Sequence, residues 1–222
     1  MKVFILAIFI FSRSGIHFAL KNTISILNVT LKDVFCNRMN QLDENHNPWQ
    51  KVSSQEIYDN PWIKIDEHQV INPKGNPGIY GLVHFKNLAI GVLPIFDDGS
   101  TMLVGQYRYP LKRYSWEIPE GGGPLSDTPL ESAKRELLEE CGLKAKHWEP
   151  LLEMDLSNSV TDEHAIIFLA KGLSQHEACP EDTEELTLKR VPFQEAFEMV
   201  MNGKIQDTMS VAAIMKYKLL TS

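Results

Sequence analysis

One segment in the middle of the chain carries start and stop signals for an α-helix, and it limits what the sequence around it can fold into. Thr128 is a typical N-cap, Pro129 suits the first helical position, and Glu131 completes a capping box. Gly142 is a natural stop after the last turn. The apolar residues between these ends recur at helical spacing: Leu130, Ala133, Leu137 and Cys141. The sequence therefore predicts one helix over this segment, with one face buried.

Runs with the character of β-strands lie on both sides of this helix. The upstream runs cover residues 56–71 (two short strands around Asn60-Pro61), 80–85, 88–96, 101–109 and 116–119, with a strong hairpin turn at 97–100. The downstream runs cover 148–156, 165–171 and 186–191, and helices are predicted at 193–202 and from about 208 to 220. This order of elements predicts an α+β fold or a layered α/β sandwich, and it excludes a doubly wound sheet.

The composition excludes several classes of protein. The chain is 43% apolar and 23% charged, which is ordinary for a globular protein and unlike disordered, collagenous or disulfide-rich sequences. Its formal net charge of −7 argues against a nucleic-acid binder that neutralises phosphates. Three cysteines, Cys36, Cys141 and Cys179, form no CxxC motif, and their odd number favours a reduced compartment. We therefore expect a cytoplasmic protein that does not bind nucleic acid.

The first 50 residues are set apart from the folded region. Val3 to Phe11 form an apolar run that is too short to span a bilayer as a helix. The run resembles the apolar part of a signal peptide, but no A-x-A-like site follows it. Three interpretations stay open: an export signal, an ordered or membrane-touching extension, or translation that starts at Met39. We predict an amino-terminal extension over residues 1–50, a single domain over 51–222, and no stable membrane span.

The predicted helix carries three carboxylates on one and a half turns. Glu136 and Glu140 are four residues apart and so point the same way, and Glu139 borders that face. Hard divalent cations such as Mg²⁺ prefer oxygen clusters of this kind, and their charge would cancel the repulsion between the glutamates. The alternative is a solvated acidic face, with Glu131 paired to Arg135 at the same spacing. The helix alone leaves both interpretations open.

Glycines and acids around the helix complete a longer pattern. It runs from Gly121 through five residues to Asp127, through seven residues to Arg135-Glu136-Leu137, and then to Glu139-Glu140 and Gly142-Leu143. This pattern resembles the Nudix box, G-x5-E-x7-R-E-U-x-E-E-x-G-U, in which U is an apolar residue. Asp127 is the one departure, because the family has Glu there. The match extends over 23 residues with demanding spacing.

The resemblance implies a fold and a chemistry. The fold is an α/β/α sandwich with a mixed sheet and a catalytic loop–helix–loop. The reaction is hydrolysis of a nucleoside diphosphate linked to another group, with Mg²⁺ or Mn²⁺ and a water that attacks phosphorus. By position, Glu136 and Glu140 match the main metal ligands, Glu139 an additional ligand and catalytic residue, and Glu120 a ligand through its backbone carbonyl. Arg135 matches the catalytic arginine that orients these glutamates by ion pairing.

The sequence before the box resembles one branch of the family. Gln106-Tyr107-Arg108-Tyr109-Pro110, then Arg113 and Trp116-Glu117-Ile118-Pro119, is similar to the lead-in of ADP-ribose and nucleotide-sugar pyrophosphatases. Arg108 and Arg113 are candidate contacts to phosphate or to the terminal sugar. Trp116 either stacks on the base or packs in the core. Glu117 either orients Arg108 or binds a ribose hydroxyl.

A polar loop after the box holds the candidate general base. ADP-ribose pyrophosphatases carry a catalytic Glu on a loop at about this place, ahead of an apolar strand. Glu163 fits that position because the apolar run 165–170 follows it. Asp162 is the rival base and His164 a weaker one. The family's Ser-Pro-Gly context is absent here, which favours a broader nucleotide-sugar hydrolase over a strict ADP-ribose enzyme.

These features predict a metal-dependent pyrophosphatase acting on nucleoside diphosphate sugars, ADP-ribose included. Its products would be a nucleoside monophosphate and a sugar phosphate. The alternatives are hydrolysis of a nucleoside triphosphate or dinucleotide, or a non-catalytic sensor that binds ADP-ribose. All three acids of the box are present and no basic helix-turn-helix segment is visible, which disfavours the sensor. The resemblance also implies a homodimer, with strands from residues 51–95 building a composite active site.

Overall fold

Ten β-strands, three α-helices and one 3-10 turn are formed by the residues that the computed structural model describes, 46–178 and 185–222. The strands are β1 Gln50–Asp59, β2 Ile63–Ile71, β3 Pro77–Phe85, β4 Asn87–Ile95, β5 Ser100–Arg108, β6 Arg113–Glu117, β7 Glu120–Pro124, β8 Leu143–Asp155, β9 His164–Gln175 and β10 Thr187–Pro192. The helices are α1 Pro129–Cys141, α2 Phe193–Met201 and α3 Thr208–Leu220, and the 3-10 turn is Tyr109–Leu111. The interpretations of residues 1–45 lie outside the described residues.

The first three strands form a separate antiparallel sheet in the order β1-β2-β3. The turn between β1 and β2 is closed by Asn60, whose Oδ1 accepts hydrogen bonds from the backbone amides of Trp62 and Ile63, both at 2.8 Å. The predicted pair of strands around Asn60-Pro61 is therefore confirmed. Asn72 closes the next turn in the same way, through the amides of Lys74 and Asn76.

The remaining seven strands form a mixed sheet. Its main path is β10-β5-β4-β9-β8, with β6 added to β5 and β7 added to β4. β4 and β9 pair in parallel, and every other pair in this sheet is antiparallel. The predicted hairpin at 97–100 joins β4 to β5, with Gly99 at a φ of +76°. The predicted mixed sheet is confirmed.

Helices cover both faces of this sheet, because alternate residues of its central strand point to opposite sides. On β4, Ile90 and Val92 join a core cluster with Leu137 of α1. Leu93 and Ile95 join a second cluster on the other face, and this cluster receives the buried residues of α2 and α3: Ala196, Met199, Met209, Ala213 and Ile214. The layers are helix, sheet and helices, as expected for an α/β/α sandwich.

The ends of α1 follow the sequence signals. Thr128 Oγ1 accepts from the amide of Glu131 at 3.3 Å, and Gly142 ends the helix at a φ of +62°. The Glu131 carboxylate accepts instead from Lys134 Nζ at 2.7 Å, which differs from the predicted pairing with Arg135. Both ends of α1 are therefore fixed by their caps, which sets the position of its acidic residues.

One segment differs from its predicted form. No strand is predicted for the glycine run before the helix, but residues 120–124 form a regular strand, β7, paired with β4. A Cβ on Gly123 would lie 2.7 Å from a side-chain carbon of Ile90, so glycine is what allows β7 to approach β4 so closely. The preceding strand, β6, also starts and ends earlier than predicted, at Arg113–Glu117.

Within the described residues, none of the helices is long and apolar enough to cross a membrane.

The hairpin turn predicts a response to acid. Asp98 accepts from the Ser100 amide and hydroxyl, and from Arg190 Nη2 at 2.7 Å, and these contacts lower the pKa of Asp98 from 3.8 to about 2. A carboxyl whose pKa is lower in the folded chain stabilises it above about pH 4, and this stabilisation is lost as the pH falls toward 2. Asp98→Asn should therefore melt below the wild type at pH 6, with the difference closing by pH 2. Thermal melts from pH 6 to 2 test this, with Asp97→Asn as the matched control, and similar curves for both variants would contradict it.

Candidate active site

Two paired strands place the predicted substrate-binding residues on one surface. On β6, Arg113, Ser115 and Glu117 line a cavity, and the intervening Tyr114 and Trp116 do not. This alternation follows from the period of two along a strand. Trp116 packs edge-on against Tyr114 and against the core cluster, so its predicted contact with substrate gains no support from its position.

Arg108 at the end of β5 is held by two carboxylates. Its Nε and Nη2 donate to Glu117 at 2.9 and 2.6 Å, and Nη2 also donates to Glu120 at 2.9 Å. Burial works against the charge on Arg108, but the bonds and charge of Glu117, with Glu120 and Asp207 beyond it, raise the pKa of the guanidinium above its usual value. Glu117 therefore orients Arg108 directly, which is one of the two roles predicted for it.

A third acid, which the sequence analysis missed, joins this group. Asp207 is the N-cap of α3, where its Oδ2 accepts from the Ser210 amide at 2.7 Å. The carboxylate oxygens of Glu117, Glu120 and Asp207 lie within 4.8 Å of one another. Burial and the two neighbouring carboxylates raise the pKa of Glu120 well above its usual value. The N-cap signal of Asp207 is readable in the sequence, but its place beside Glu117 depends on the tertiary fold.

The acids of α1 lie against the segment that begins β7. Glu136 and Glu140 are both buried, at 7% and 3% exposure. Glu140 Oε2 accepts from the backbone amide of Glu120 at 3.0 Å. A Cβ on Gly121 would lie 2.3 to 2.5 Å from the carboxylate atoms of Glu136. The two glutamates predicted as main metal ligands therefore both lie against residues 120–121 at the start of β7.

Arg135 connects these acids. Its guanidinium donates to Glu136 and to the carbonyl of Gly122, both at 2.7 Å, and to Glu139 at 2.6 Å. Partial burial opposes the charge, but Glu136 and Glu139 raise the pKa of Arg135. These contacts are the ion pairing predicted for Arg135 from the family resemblance.

A cavity of about 560 Å³ is lined by Arg108 and its three acidic neighbours and by Gly121 and Gly122, next to which the acids of α1 lie. Its polar lining residues include Arg108, Arg113, Glu117, Glu120 and Asp207. Its apolar lining residues were not predicted as site residues from the sequence: Trp62, Phe85, Leu88, Pro110 and Leu111. Gly121 and Gly122 complete the cavity beside the buried glutamates. This is the size of a site for a small ligand with both polar and apolar parts.

The three candidate bases are separated by the structure. Glu163 is half-buried and lines the cavity, and burial raises the pKa of Glu163. Asp162 is absent from the cavity wall and contacts His84 at 2.6 Å and the Phe85 amide at 3.0 Å. His164 lies outside it as well, 2.9 Å from Asp155. Of the three, only Glu163 is placed to meet a ligand in the cavity.

Comparison with known proteins identifies the family of this chain. The NUDIX domain family matches residues 85–209, which is more than half of the chain. The chain belongs to the Nudix family. The nucleoside diphosphate sugar hydrolase N-terminal domain matches residues 49–83, which include most of the three-stranded sheet. The protein is thus a Nudix hydrolase with the amino-terminal region of that branch, and the predicted family and enzyme class are confirmed.

Individual relatives of this Nudix hydrolase include two bacterial enzymes. The ADP-ribose pyrophosphatase of Mycobacterium tuberculosis is 29% identical over 179 residues, 78% of this chain and 85% of the relative. The ADP-ribose pyrophosphatase of Bacillus subtilis is 29% identical over 165 residues, 73% of this chain and 89% of the relative. A crystal structure of an ADP compounds hydrolase matches with a TM-score of 0.70 at 17% identity, covering 78% of this chain and 93% of that one. This last match confirms the predicted Nudix fold.

Nudix hydrolases use a divalent metal, and three features of this chain fit one. The donors are carboxylates, the oxygen ligands that Mg²⁺ and Mn²⁺ prefer. Within the described part of the chain, Oε2 of the buried Glu120 side chain has no hydrogen-bond partner. The missing side chain of Gly121 leaves the space that the Glu136 carboxylate occupies. From the family resemblance, the residues that we expect to hold the metal are Glu136 and Glu140, with Glu139 and Glu120 beside them.

Gly121 yields a direct test of this arrangement. An added methyl would displace the Glu136 carboxylate, because that carboxylate is the movable end of a side chain and the β7 backbone is not. We expect Gly121→Ala to fold with a melting temperature near that of the wild type, but to lose roughly 10- to 100-fold in kcat/KM from misplacement of a catalytic group. Turnover of a diphosphate sugar with excess Mg²⁺ measures this.

The neighbouring glycine is the matched control. A Cβ on Gly122 would meet only the Asn87 side chain, at 3.0 Å and beyond, so Gly122→Ala should keep most of its activity. Equal losses in the two variants would show that neither glycine position tolerates a side chain, and that the Glu136 carboxylate is not the sensitive point.

Proposed function

We propose that this protein hydrolyses the pyrophosphate bond of nucleoside diphosphate sugars, ADP-ribose included, to a nucleoside monophosphate and a sugar phosphate. The main observation behind the proposal is that one cavity is lined by three features of the predicted site. They are the Glu120–Gly122 backbone, against which the buried glutamates lie, the arginines of β5 and β6, and Glu163. The ADP-ribose pyrophosphatases among its relatives and the matched nucleoside diphosphate sugar hydrolase N-terminal domain support this substrate class.

The cavity has both apolar and polar lining residues, which suit the two parts of such a substrate. The exposed Trp62 and the neighbouring Phe85 offer flat apolar surface to a nucleobase. Arg113 is exposed, lines the same cavity, and suits a phosphate or the terminal sugar. Arg108 already satisfies two carboxylates, so it contributes chiefly by holding Glu117 and Glu120 in place.

The residues of the site have two catalytic tasks, which are to hold the reactants in place and to accept one proton. When bound, the divalent cation supplies charge that offsets the diphosphate and lowers the pKa of the attacking water. Glu163 accepts the proton of that water as its oxygen attacks phosphorus and the bridging oxygen leaves with the other phosphate. A carboxyl whose pKa is raised by burial is a better proton acceptor than an ordinary one. Arg135 keeps Glu136 and Glu139 oriented through its ion pairs.

Further parts of the proposal concern the whole protein. The hydrolase domain comprises residues 51–222 and uses Mg²⁺ or Mn²⁺. It forms a homodimer through strands from residues 51–95, for which the exposed apolar side chains of this region offer a surface: Val52, Ile57, Tyr58, Trp62 and Ile79. Its location is the cytoplasm, on the strength of the cysteine pattern. Sedimentation of the purified protein tests the dimer.

The activity itself is tested with a panel of substrates and the full chain. ADP-ribose, ADP-glucose, GDP-mannose, UDP-glucose, a dinucleotide and a triphosphate are each incubated with Mg²⁺, and phosphate is measured after phosphatase coupling. Turnover of several diphosphate sugars is the expected result, and turnover of ADP-ribose alone would narrow the substrate. Turnover of the triphosphate alone would overturn the proposal. Ligand binding without any turnover would identify a sensor.

A further inference from the structure

The loop between β8 and β9, residues 156–163, lies against β3 of the separate three-stranded sheet. The Val83 amide donates to the carbonyl of Val160 at 2.9 Å, and the Asp162 amide donates back to the Val83 carbonyl at 3.3 Å. The Tyr80 hydroxyl donates to the Ser159 carbonyl at 2.7 Å. The loop that carries the candidate base is therefore fastened to a sheet that contributes no residue of the Nudix box.

A histidine strengthens this attachment at the end nearest the base. His84 Nδ1 lies 2.6 Å from Asp162 Oδ2, and its Nε2 lies 3.5 Å from Asp66 Oδ2 on β2. The Phe85 amide donates to Asp162 Oδ1 at 3.0 Å, so both carboxylate oxygens of Asp162 are engaged. Lys64 Nζ lies 3.2 Å from Asp66 and extends this series of polar contacts across the sheet. Partial burial opposes ionisation of Asp162, but the contacts with His84 and Phe85 lower its pKa.

Glu163 directly follows this anchored residue. Consecutive Cα atoms are about 3.8 Å apart, so fixing Asp162 closely limits the position of the Glu163 backbone. The Glu163 carbonyl also accepts from the Leu156 amide at 2.9 Å, which closes the loop on itself. The Glu163 side chain thus lines the cavity from a loop whose two ends are hydrogen-bonded to each other and whose middle is hydrogen-bonded to β3.

We infer that His84 and Asp162 are positioning residues for the base: the three-stranded sheet sets the place of the Glu163 carboxylate through the His84–Asp162 contact. This inference rests on the proposed function, since it assigns a task to the sheet within the same reaction. The sheet is then part of the catalytic apparatus, although its own strands lie outside the matched NUDIX domain except at Phe85.

Removal of either partner should lower the rate more than the binding of substrate. We expect His84→Ala and Asp162→Ala each to reduce kcat roughly 10- to 100-fold, the size of effect that follows from misplacing a catalytic group, with KM changed by less than about threefold. His84→Asn keeps a nitrogen donor near the position of Nδ1 and should restore most of kcat. Asp59→Asn is the matched control, because it breaks an ion pair of the same sheet, with Lys86, that does not touch the loop.

The same substitution made in the Glu163→Gln variant distinguishes an effect on the position of Glu163 from an effect on general stability. In Glu163→Gln the base is already absent, so adding His84→Ala should lower kcat no further. A merely structural role would lower kcat by the same factor in both backgrounds, and that result would overturn the inference. Wild-type kcat in His84→Ala and Asp162→Ala would overturn it too, as would a Glu163→Gln enzyme with undiminished kcat.

Amide hydrogen exchange measures whether the His84–Asp162 contact holds the loop, without any measurement of turnover. His84→Ala should speed exchange of the amides of residues 156–163 and leave those of β9 unchanged, whereas unchanged exchange in the loop would overturn the inference. Failure of the proposed function has a different signature, which is a wild-type chain that hydrolyses none of the diphosphate sugars. The exchange measurement still tests the attachment of the loop in that case.

Discussion

Glu136→Gln should lower kcat for a diphosphate sugar by about 10³-fold, because metal charge contributes several kcal/mol to such a reaction and each 1.36 kcal/mol is tenfold in rate. The substitution keeps the volume of the side chain and removes the charge that would hold a cation. Glu136 is 7% exposed and accepts from Arg135 at 2.7 Å, so glutamine also leaves the guanidinium with one carboxylate fewer. Turnover measured against Mg²⁺ concentration should show a raised requirement for the metal along with the lower maximum.

The same helix offers a control for this result. Glu131 is exposed and paired with Lys134 rather than with the site, so Glu131→Gln makes an identical chemical change with little expected effect on rate. Comparable kcat values for the two variants would remove Glu136 from the metal site. Thermal melts of both variants ensure that a folded protein is being compared.

Glu163→Gln should lower kcat by roughly 10²- to 10³-fold, within the range that general bases contribute. The metal requirement should stay that of the wild type, which distinguishes the base from a ligand. Because burial raises the pKa of Glu163, the wild-type rate should fall as the pH drops through that raised value, and this acid limb should be missing from the variant. A pH profile of kcat at saturating Mg²⁺ measures both effects.

The control for Glu163 lies on the neighbouring strand. Glu153 of β8 is exposed and lies outside the cavity wall, so Glu153→Gln should keep the wild-type profile. If Asp162→Asn removed the acid limb while Glu163→Gln kept it, the proton acceptor would be Asp162, and the assignment made from the cavity wall would be wrong.

Local signals predicted the helices well. The cap at Thr128 and the glycine at 142 bracket α1 as observed, and α3 spans the predicted Thr208–Leu220. These elements depend on interactions within a few residues, which a sequence displays directly. The acids of α1 were likewise predictable, since their spacing is set by the helix itself.

Residues that reach the site from distant parts of the chain were not predictable in this way. Asp207 meets Glu117 only because α3 begins beside the end of β6, and Trp62 lines the cavity from a turn of another sheet. β7 was not predicted, because glycine is rare in strands, whereas here its lack of a side chain permits close pairing with β4. In each case the deciding contact joins residues far apart in sequence.

The three-stranded sheet has a consequence for how the protein fails on heating. Within one protomer its strands are joined by short turns and every residue of β1 is exposed, so little buried apolar surface of that protomer holds the sheet in place. Regions of this kind open locally at a lower free energy than the whole domain. The mixed sheet is different, because its central strands β4 and β9 pair residues 76 positions apart in sequence, such as Ala89 and Ala165. The loop bearing Glu163 would be released with the three-stranded sheet. Inactivation should therefore precede unfolding, and the temperature at which the enzyme stops working is set by its least protected strands.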